Sequence, residues 1–493
     1  MLRAVSLVLL LSAAVITPAK ASVVLLANGT LTGSSAGANA DLSGLSGTLE
    51  NGLPANILGG LGSGFAYAGG NTFVGVPDRG PNATPFNAAV DDTASFISRF
   101  QTIDMGLTLN APGSVLPFSL TPTLTQTTLL FSPTALNYGT GAGLGNRIDG
   151  VTPIGSGAPS INTTAAYYFS GRSDNFGIGN SGNPSNARFD PEAIRVSNDG
   201  KSVFISDEYG PYVRQFDRAT GQLIKTFTLP ANLDVNTLSP NGAAEISGNT
   251  SGRVANKGME GLAITPDGTT LVGIMQAPLI QDAAVSATAR LLRIVTIDIA
   301  TGATREIGYK LTAGTGVSEI IAINNNEFLV DERDGKGLGD GTSAAVKQIF
   351  KINIAGATDI TNLSGTAAAN AAIVKSSTPF LDIVAALVAN GVPKDQIPAK
   401  IEGLAFGQDV ILNGVTTHTL YVANDNDFVP GTAGPSRFFV FGFQDGDLPG
   451  FLQQQLSAPV PEPSTWLLTI SGFGLVGALL RRRRVFRPTF AGA

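Results

Sequence analysis

The chain has 493 residues, of which 43% are hydrophobic, so it is long enough to bury a large core. Only 14% of the residues are charged and the net charge is −6, which argues against nucleic-acid binding because a nucleic acid needs a basic surface. There is no cysteine, which excludes a disulfide framework, a thiol nucleophile and a cysteine-ligated zinc.

The first segment has the pattern of a signal peptide, predicted for residues 1–21. Arg3 provides the positive charge, residues 4–16 are mostly apolar, and Ala19-Lys20-Ala21 places small residues around a cleavage point. The mature chain is therefore expected to begin at Ser22. Residues 22–54 form a lead-in segment rich in small and polar residues, and two interpretations stay open: a flexible lead-in, or a strand that closes a ring.

A supersecondary unit recurs between residues 55 and 445. Its clearest copy, 189–221, has three short apolar runs, and the turn Asn198-Asp199-Gly200 between two of them is a strong hairpin signal. Similar copies lie at 257–302, 318–356 and 401–441, with a weaker one at 61–79. Repetition of a small antiparallel unit predicts an all-β fold, a β-propeller of about six blades with loop and helix insertions. Residues 367–387 are predicted to form such an inserted helix.

Four glutamates begin the first strand of their repeat. Equivalent points of propeller blades lie on a ring about the axis, so these side chains are expected to converge. Converging carboxylates need a cation or basic partners, and oxygen ligands without histidine or cysteine favour Ca²⁺ or Mg²⁺ over zinc. Ca²⁺ is the predicted cofactor. The predicted metal ligands are Glu192, Glu260, Glu319, Glu402 and Asp331. An alternative stays open, in which these acids cap blade turns and pair with arginine or lysine.

The sequence does not identify catalytic residues, but acids at the strand ends are candidates. They are Glu192, Glu260, Asp207 and Glu208. Arg79, Lys257 and Lys400 are predicted to bind the anionic group of a substrate, because guanidinium and ammonium groups pair with phosphate and carboxylate. The only histidine, His418, lies near a hairpin turn and is expected to be exposed there rather than catalytic.

The C-terminal end carries a three-part pattern. After a linker, 446–459, come Pro461-Glu462-Pro463, an apolar run from Trp466 to Leu480, and four arginines at 481–484. At about 1.5 Å per residue the run makes a membrane helix of roughly 22 Å, and the arginines place its end in the cytoplasm. We predict a sorting signal with a single transmembrane helix at 460–484 and a tail at 485–493. An ordinary tail anchor is the alternative.

This pattern resembles the PEP-CTERM sorting signal of bacterial exopolysaccharide-associated proteins. The resemblance implies an exported protein, anchored in the membrane through the C-terminal helix before processing. It also implies an exosortase-type membrane protease as partner, cleavage near Pro461-Glu462-Pro463, and release to the cell surface or extracellular matrix.

Several motifs in the repeat region resemble those of the phytase-like family, usually called "esterase-like activity of phytase". They are Pro77-Asp78-Arg79-Gly80, Phe189-Asp190-Pro191-Glu192, Ser206-Asp207-Glu208-Tyr209-Gly210-Pro211, Met259-Glu260-Gly261-Leu262-Ala263 and Asp331-Glu332-Arg333. The resemblance covers about residues 55–445 and implies a β-propeller that hydrolyses phosphoesters or esters.

The prediction is therefore an exported, metal-assisted hydrolase of small anionic phosphoesters or related esters. Two alternatives stay open. One is a non-catalytic matrix propeller that binds calcium or polysaccharide, and the other is a lactonase-type propeller.

Overall fold

The computed structural model describes residues 23–81, 93–139, 146–147, 149–153, 155–172, 179–239, 241–283, 290–457 and 492. The predicted signal peptide, the sorting signal and, apart from residue 492, the tail lie outside these ranges. Among the described helices, none combines the length and the apolar content needed to cross a membrane.

Within the described ranges, the long strands form five four-stranded antiparallel blades, which confirms the β-propeller. From the inner to the outer strand they are Gly64–Tyr67, Thr72–Val76, Arg99–Leu109 and Phe118–Leu129 in blade 1; Pro191–Val196, Ser202–Asp207, Tyr212–Asp217 and Leu223–Phe227 in blade 2; Met259–Ile264, Thr270–Met275, Leu291–Asp298 and Thr304–Lys310 in blade 3; Gly316–Ala322, Glu327–Arg333, Lys347–Asn353 and Leu381–Asp382 in blade 4; and Lys400–Phe406, Val415–Asp425, Ser436–Phe443 and Val24–Leu31 in blade 5.

The prediction of about six blades is wrong, because five blades close the ring. The inner strand of each blade contacts that of the next, and the inner strand of blade 5 contacts that of blade 1. The region between the repeat copies at 61–79 and 189–221 supplies the third and outer strands of blade 1, Arg99–Leu109 and Phe118–Leu129. Long loops around these strands explain why the region does not follow the repeat.

The lead-in segment contains the strand that closes the ring. Val24–Leu31 pairs antiparallel with Ser436–Phe443, so the first and last strands of the propeller share one sheet. Leu26 and Ala27 are fully buried in this strand. Of the two interpretations of the segment, the closing strand is correct, and it leaves blade 5 with the same four-strand pattern as the others.

The remaining elements are short. The minor strands are Gly33–Ser34, Gly37–Ala38, Phe131–Ser132, Tyr167–Tyr168 and Val410–Leu412; the α-helices are Gly242–Ser247, Ile280–Ala283, Gly365–Asn370, Ile383–Ala389 and Pro430–Ala433; the 3₁₀ turns are Ala231–Leu233 and Lys394–Gln396. The single helix predicted at 367–387 is wrong. Pro379 disfavours a continuous helix, and a second helix begins after Asp382, whose side chain accepts a hydrogen bond from Ala385 N.

The core lies between the blades. Each inner strand is covered on both faces by neighbouring blades, which is why Pro191–Val196 and Met259–Ile264 are buried along their whole length. The inner strands approach most closely at the residue after the repeat glutamate. A Cβ atom on Gly261 would lie 2.8 Å from Ile320 N, and one on Gly403 would lie 2.7 Å from Phe65 Cβ. Glycine at these two positions therefore allows the tight ring to form.

Candidate functional site

The two ends of the central channel differ in chemistry, and we call the end where the inner strands begin the upper mouth. Near this end the inner strands of blades 2 to 5 each contain a β-bulge. In blades 3 and 5 the pairing skips Glu260 and Glu402, and in blade 2 the bulge includes Glu192. Because a bulge redirects a side chain, these three glutamates can turn toward the mouth instead of following the strand alternation.

Glu319 does not occupy the position equivalent to the other three glutamates, contrary to the expectation from the repeat. In blade 4 the residue skipped by the pairing is Ser318, whose hydroxyl contacts the Arg333 guanidinium. Glu319 lies one residue farther along the strand. Its Oε2 is 2.8 Å from Arg195 Nη2, and its Oε1 accepts a hydrogen bond from Leu262 N at 3.0 Å. It is therefore held inside the ring by its own arginine.

Arg195 connects three blades across the centre of the channel. Its Nη1 donates to Phe65 O of blade 1 at 2.8 Å, and its Nη2 donates to Ile320 O of blade 4 at 3.1 Å. The residue is buried, so its guanidinium fills the ring below the upper mouth. Sequence reasoning missed Arg195, although a charged residue between Ile194 and Val196 in an inner strand was a usable signal.

One group of carboxyls, which we call the first acid cluster, lies at the upper mouth: Asp190, Glu192 and Glu208. Each offers an oxygen within 4.8 Å of the other two. The Glu192 carboxyl hydrogen-bonds to Asp190, and the Glu208 carboxyl hydrogen-bonds to Glu260. Burial and the neighbouring carboxylates raise the pKa of Glu192 and Glu208 well above the usual range of a glutamate. The raised pKa values mean that protons reduce the repulsion between these carboxyls, a role that a cation can also fill.

A second acid cluster consists of Asp78, Asp425 and Asp427, whose oxygens also lie within 4.8 Å of one another. Lys400 neutralises part of it, because its Nζ is 3.0 Å from Asp425 Oδ2 and also contacts Asp427. The Asp78 carboxylate interacts with Asp190, so the two clusters share one mouth.

Two arginines complete the mouth. Arg79 Nη1 is 3.1 Å from Asp190 Oδ2, while the Arg333 guanidinium contacts Glu402 and lies 3.6 Å from Glu260 Oε1. The side chains of Arg79 and Arg333 are 15% and 13% exposed, and that of Lys400 is 33% exposed. Three cations thus stay within reach of solvent beside acids that are buried except for Asp427, which is 32% exposed.

Comparison with known proteins finds a family match for most of the chain. Over residues 56–428 the sequence matches the phytase-like family described as "esterase-like activity of phytase". The chain belongs to this phytase-like family. Residues 459–484 match the PEP-CTERM protein-sorting motif, which confirms the predicted sorting signal as a sequence motif.

Individual relatives of this phytase-like protein are distant. An "uncharacterized secreted protein" of Arthroderma benhamiae is 29% identical over 264 residues, which cover 46% of each chain, so the match spans less than half of that relative. The sorting motif and this secreted relative agree with the predicted export.

Among solved structures, the hydrazine synthase of Kuenenia stuttgartiensis is 12% identical, with 78% and 80% of the two chains covered and a TM-score of 0.29. A gluconolactonase of Xanthomonas campestris is 11% identical, with coverage of 78% and 87% and a TM-score of 0.29. Nothing about the activity of the phytase-like protein follows from these two similarities.

Three further predicted site residues of the phytase-like domain are Asp207, Asp331 and Lys257. Asp207 accepts hydrogen bonds from Asp190 N and Gly210 N, at 2.8 and 2.9 Å, and so holds the loop that carries Glu208. Asp331 is fully buried behind Arg333. Lys257 is exposed on a loop and has no ion pair within the described residues.

His418 lies at the edge of blade 5, outside the mouth. Its two ring nitrogens are each 2.8 Å from a carboxylate, Nδ1 from Asp409 and Nε2 from Asp445. Its ring packs against Phe443 and Phe451, so the histidine is partly covered rather than free at a turn. The sequence expectation of an exposed histidine is therefore met only in part, because its side chain is 17% exposed.

The lower end of the channel holds a cavity, which is lined by the final residues of all five inner strands and by Gln453 and Gln454 of the C-terminal segment. It contains none of the carboxyls of the two acid clusters, and Arg195 separates it from the upper mouth. A ligand that approaches the acids therefore enters from the upper side.

The raised pKa values of two buried acids predict how the free energy of unfolding depends on pH. Burial raises the pKa of Glu402 to about 8 and that of Asp331 to about 7. Because unfolded values lie near ~4, the folded state binds more protons, so the stabilisation is complete below pH ~4 and is lost as the pH rises toward 8. With a chelator present, the free energy of unfolding should be lower at pH 8 than at pH 5, by on the order of 6 kcal/mol for the two groups together. Higher stability at pH 8, measured by urea denaturation, would contradict this.

Proposed function

We propose that this phytase-like protein is an exported hydrolase that cleaves phosphoesters or related esters at its upper mouth with the help of a divalent cation. The observation that supports this most is the gathering of two largely buried acid clusters and three solvent-reachable cations at one end of the channel. Such a mixture of signs can hold a cation and an anionic substrate side by side.

Of the two acid clusters, we propose the first, with Glu260 beside it, as the Ca²⁺ site. All donors are carboxylate oxygens, the ligands that Ca²⁺ and Mg²⁺ prefer, and they already lie within 4.8 Å of one another in Asp190, Glu192 and Glu208. When bound, the ion would neutralise substrate charge and lower the pKa of a water molecule. Glu402 and Glu319 are also predicted ligands. We propose that they hold arginines instead of the ion, since Arg333 pairs with Glu402 and Arg195 pairs with Glu319.

The basic residues of the mouth are proposed to bind the substrate anion. Arg79, Arg333 and Lys400 each retain an exposed fraction above their acidic partners, and a phosphate or carboxylate can exchange with those partners. The Glu208 carboxyl hydrogen-bonds to Glu260. Glu260, which lies beside the first acid cluster, is the proposed general base. Arg195 keeps water from entering from below, which favours electrostatic interactions at the mouth.

We propose that residues 460–484 anchor the exported chain in the membrane as a helix, and that an exosortase-type protease cleaves it near Pro461-Glu462-Pro463. The propeller would then reach the cell surface or extracellular matrix. The PEP-CTERM match at 459–484 supports this route.

The activity is tested with purified residues 22–459, with and without Ca²⁺, on phytate, p-nitrophenyl phosphate, p-nitrophenyl acetate and a simple lactone. We expect turnover of a phosphoester or ester that a chelator removes and Ca²⁺ restores. Turnover of the lactone alone would favour the lactonase alternative. Calcium binding without any turnover would favour the non-catalytic matrix propeller and contradict the hydrolase.

A further inference from the structure

The segment after the last blade, residues 447–457, packs across the lower face of the propeller, and we call it the strap. It begins against blades 4 and 5. Leu452 N donates to Ile323 O at 2.8 Å, and Gln453 Nε2 donates to Gly407 O at 2.6 Å. The Phe451 ring lies 4.6 Å from that of Phe406, centre to centre. The first half of the strap is therefore fixed by both apolar and polar contacts.

The second half of the strap is fixed to blade 2, on the other side of the channel. Gln454 Nε2 donates to Val196 O at 2.8 Å and to Asn198 Oδ1 at 2.7 Å. Ser457 N donates to Asn198 O at 2.8 Å. Between these anchor points, Gln453 and Gln454 lie over the lower opening of the channel. The strap thus crosses the axis on the face opposite the acid clusters and ends next to the sorting motif at 459–484.

We infer that the strap makes the lower face the side of the propeller that rests toward a lipid bilayer, so that the acidic mouth points away from the membrane while the chain is anchored. This rests on the proposed anchoring through residues 460–484. Only residues 458–465 separate the strap from the apolar run at Trp466, and eight residues reach at most about 28 Å when fully extended. The upper mouth lies about 20 Å farther away, the length of a six-residue inner strand.

Docking of the strap favours this orientation, because it shortens the free linker from the 22 residues 444–465 to the eight residues 458–465. If residues 444–465 formed a free tether, the propeller could turn and present either face to the lipid. Fixed at Leu452 and Ser457, the chain can leave only from the lower face. The consequence is that substrate can reach the mouth before the sorting signal is cleaved.

The orientation is tested by energy transfer to labelled lipid. The chain has no cysteine, so single-cysteine variants accept one fluorophore each. Asn325→Cys labels an exposed turn on the lower face, and Lys336→Cys labels an exposed loop at the upper end of blade 4. In full-length chain bound to vesicles of phosphatidylcholine that carry acceptor lipid, the donor at position 325 should be quenched several-fold more than the donor at position 336.

A variant with a released strap is the matched control. Phe451→Ser combined with Gln454→Gly removes contacts at both ends of the strap and should abolish the difference between the two donors. Should this variant fail to fold, hydrogen exchange on the unaltered chain provides a second measurement, in which the amides of Leu452 and Ser457 are expected to be protected.

Each outcome decides between the proposals. Equal quenching of both donors in chain that floats with the vesicles, or unprotected strap amides, would overturn the orientation alone. Failure of the chain to float would overturn the anchoring together with the orientation. Neither outcome changes the expected hydrolysis by residues 22–459, which is measured without lipid.

Discussion

Replacing Arg195 with methionine is expected to destabilise the propeller by about 3–5 kcal/mol, the cost of leaving one partner of a buried ion pair without the other. The arginine donates to main-chain oxygens of blades 1 and 4 and neutralises Glu319, which is fully buried. Methionine fills much of the volume but offers no hydrogen-bond donor. Urea denaturation of residues 22–459 measures the loss.

The double variant Arg195→Met with Glu319→Gln is the control, because it removes the unpaired charge. It should recover most of the stability, since a buried ion pair can often be replaced by neutral residues at little cost. The single variant should also lose more stability at pH 8 than at pH 5, where Glu319 is more easily protonated. A double variant as unstable as the single one would show that Arg195 acts through its main-chain contacts instead.

Replacing Glu192 or Glu208 with glutamine is expected to weaken Ca²⁺ binding and hydrolysis by ~100-fold or more, because even residues behind metal ligands change affinity by ~10–100-fold. Both carboxyls belong to the first acid cluster. Calorimetry of Ca²⁺ binding and the phosphoester assay measure the two effects. Both should also release fewer protons on Ca²⁺ binding, because the protons of the cluster are displaced by the ion.

Glu319→Gln is the matched control for this experiment. It changes the same residue type in the same repeat motif, but at a position held by Arg195 inside the ring. The calcium affinity should stay unchanged in this variant. Equal losses in all three variants would contradict the first acid cluster as the cation site and would favour a ring of equivalent glutamates.

Much of the fold could be predicted from the repeats. Alternating apolar runs separated by turns at Asn198-Asp199-Gly200 and similar places predict antiparallel blades, and an acid at the start of a run predicts a charged end of the channel. The blade number could not be predicted in this way. In blade 1 the third and outer strands lie among long loops. In blade 5 the outer strand comes from the N-terminal lead-in, some 400 residues away in the chain from the strand with which it pairs.

The candidate site could be predicted only in part. Glu192, Glu260 and Glu402 do meet at one mouth, but the sequence repeat also pointed to Glu319, which a bulge at Ser318 displaces by one residue. A bulge adds one residue to one strand only, so its place depends on pairing with the neighbouring strand and is not visible in the order of residue types.

The sequence by itself determined the blade motif, the family and the sorting signal, because each depends on residues that are close together in the chain. Only the tertiary structure decided which charges neutralise one another. Arg195 meets Glu319 and Arg333 meets Glu402 through contacts between different blades, which only ring closure brings together. The position of the strap was also decided only by the tertiary structure. Residues 447–457 carry no motif, and their position follows from the lower face on which they pack.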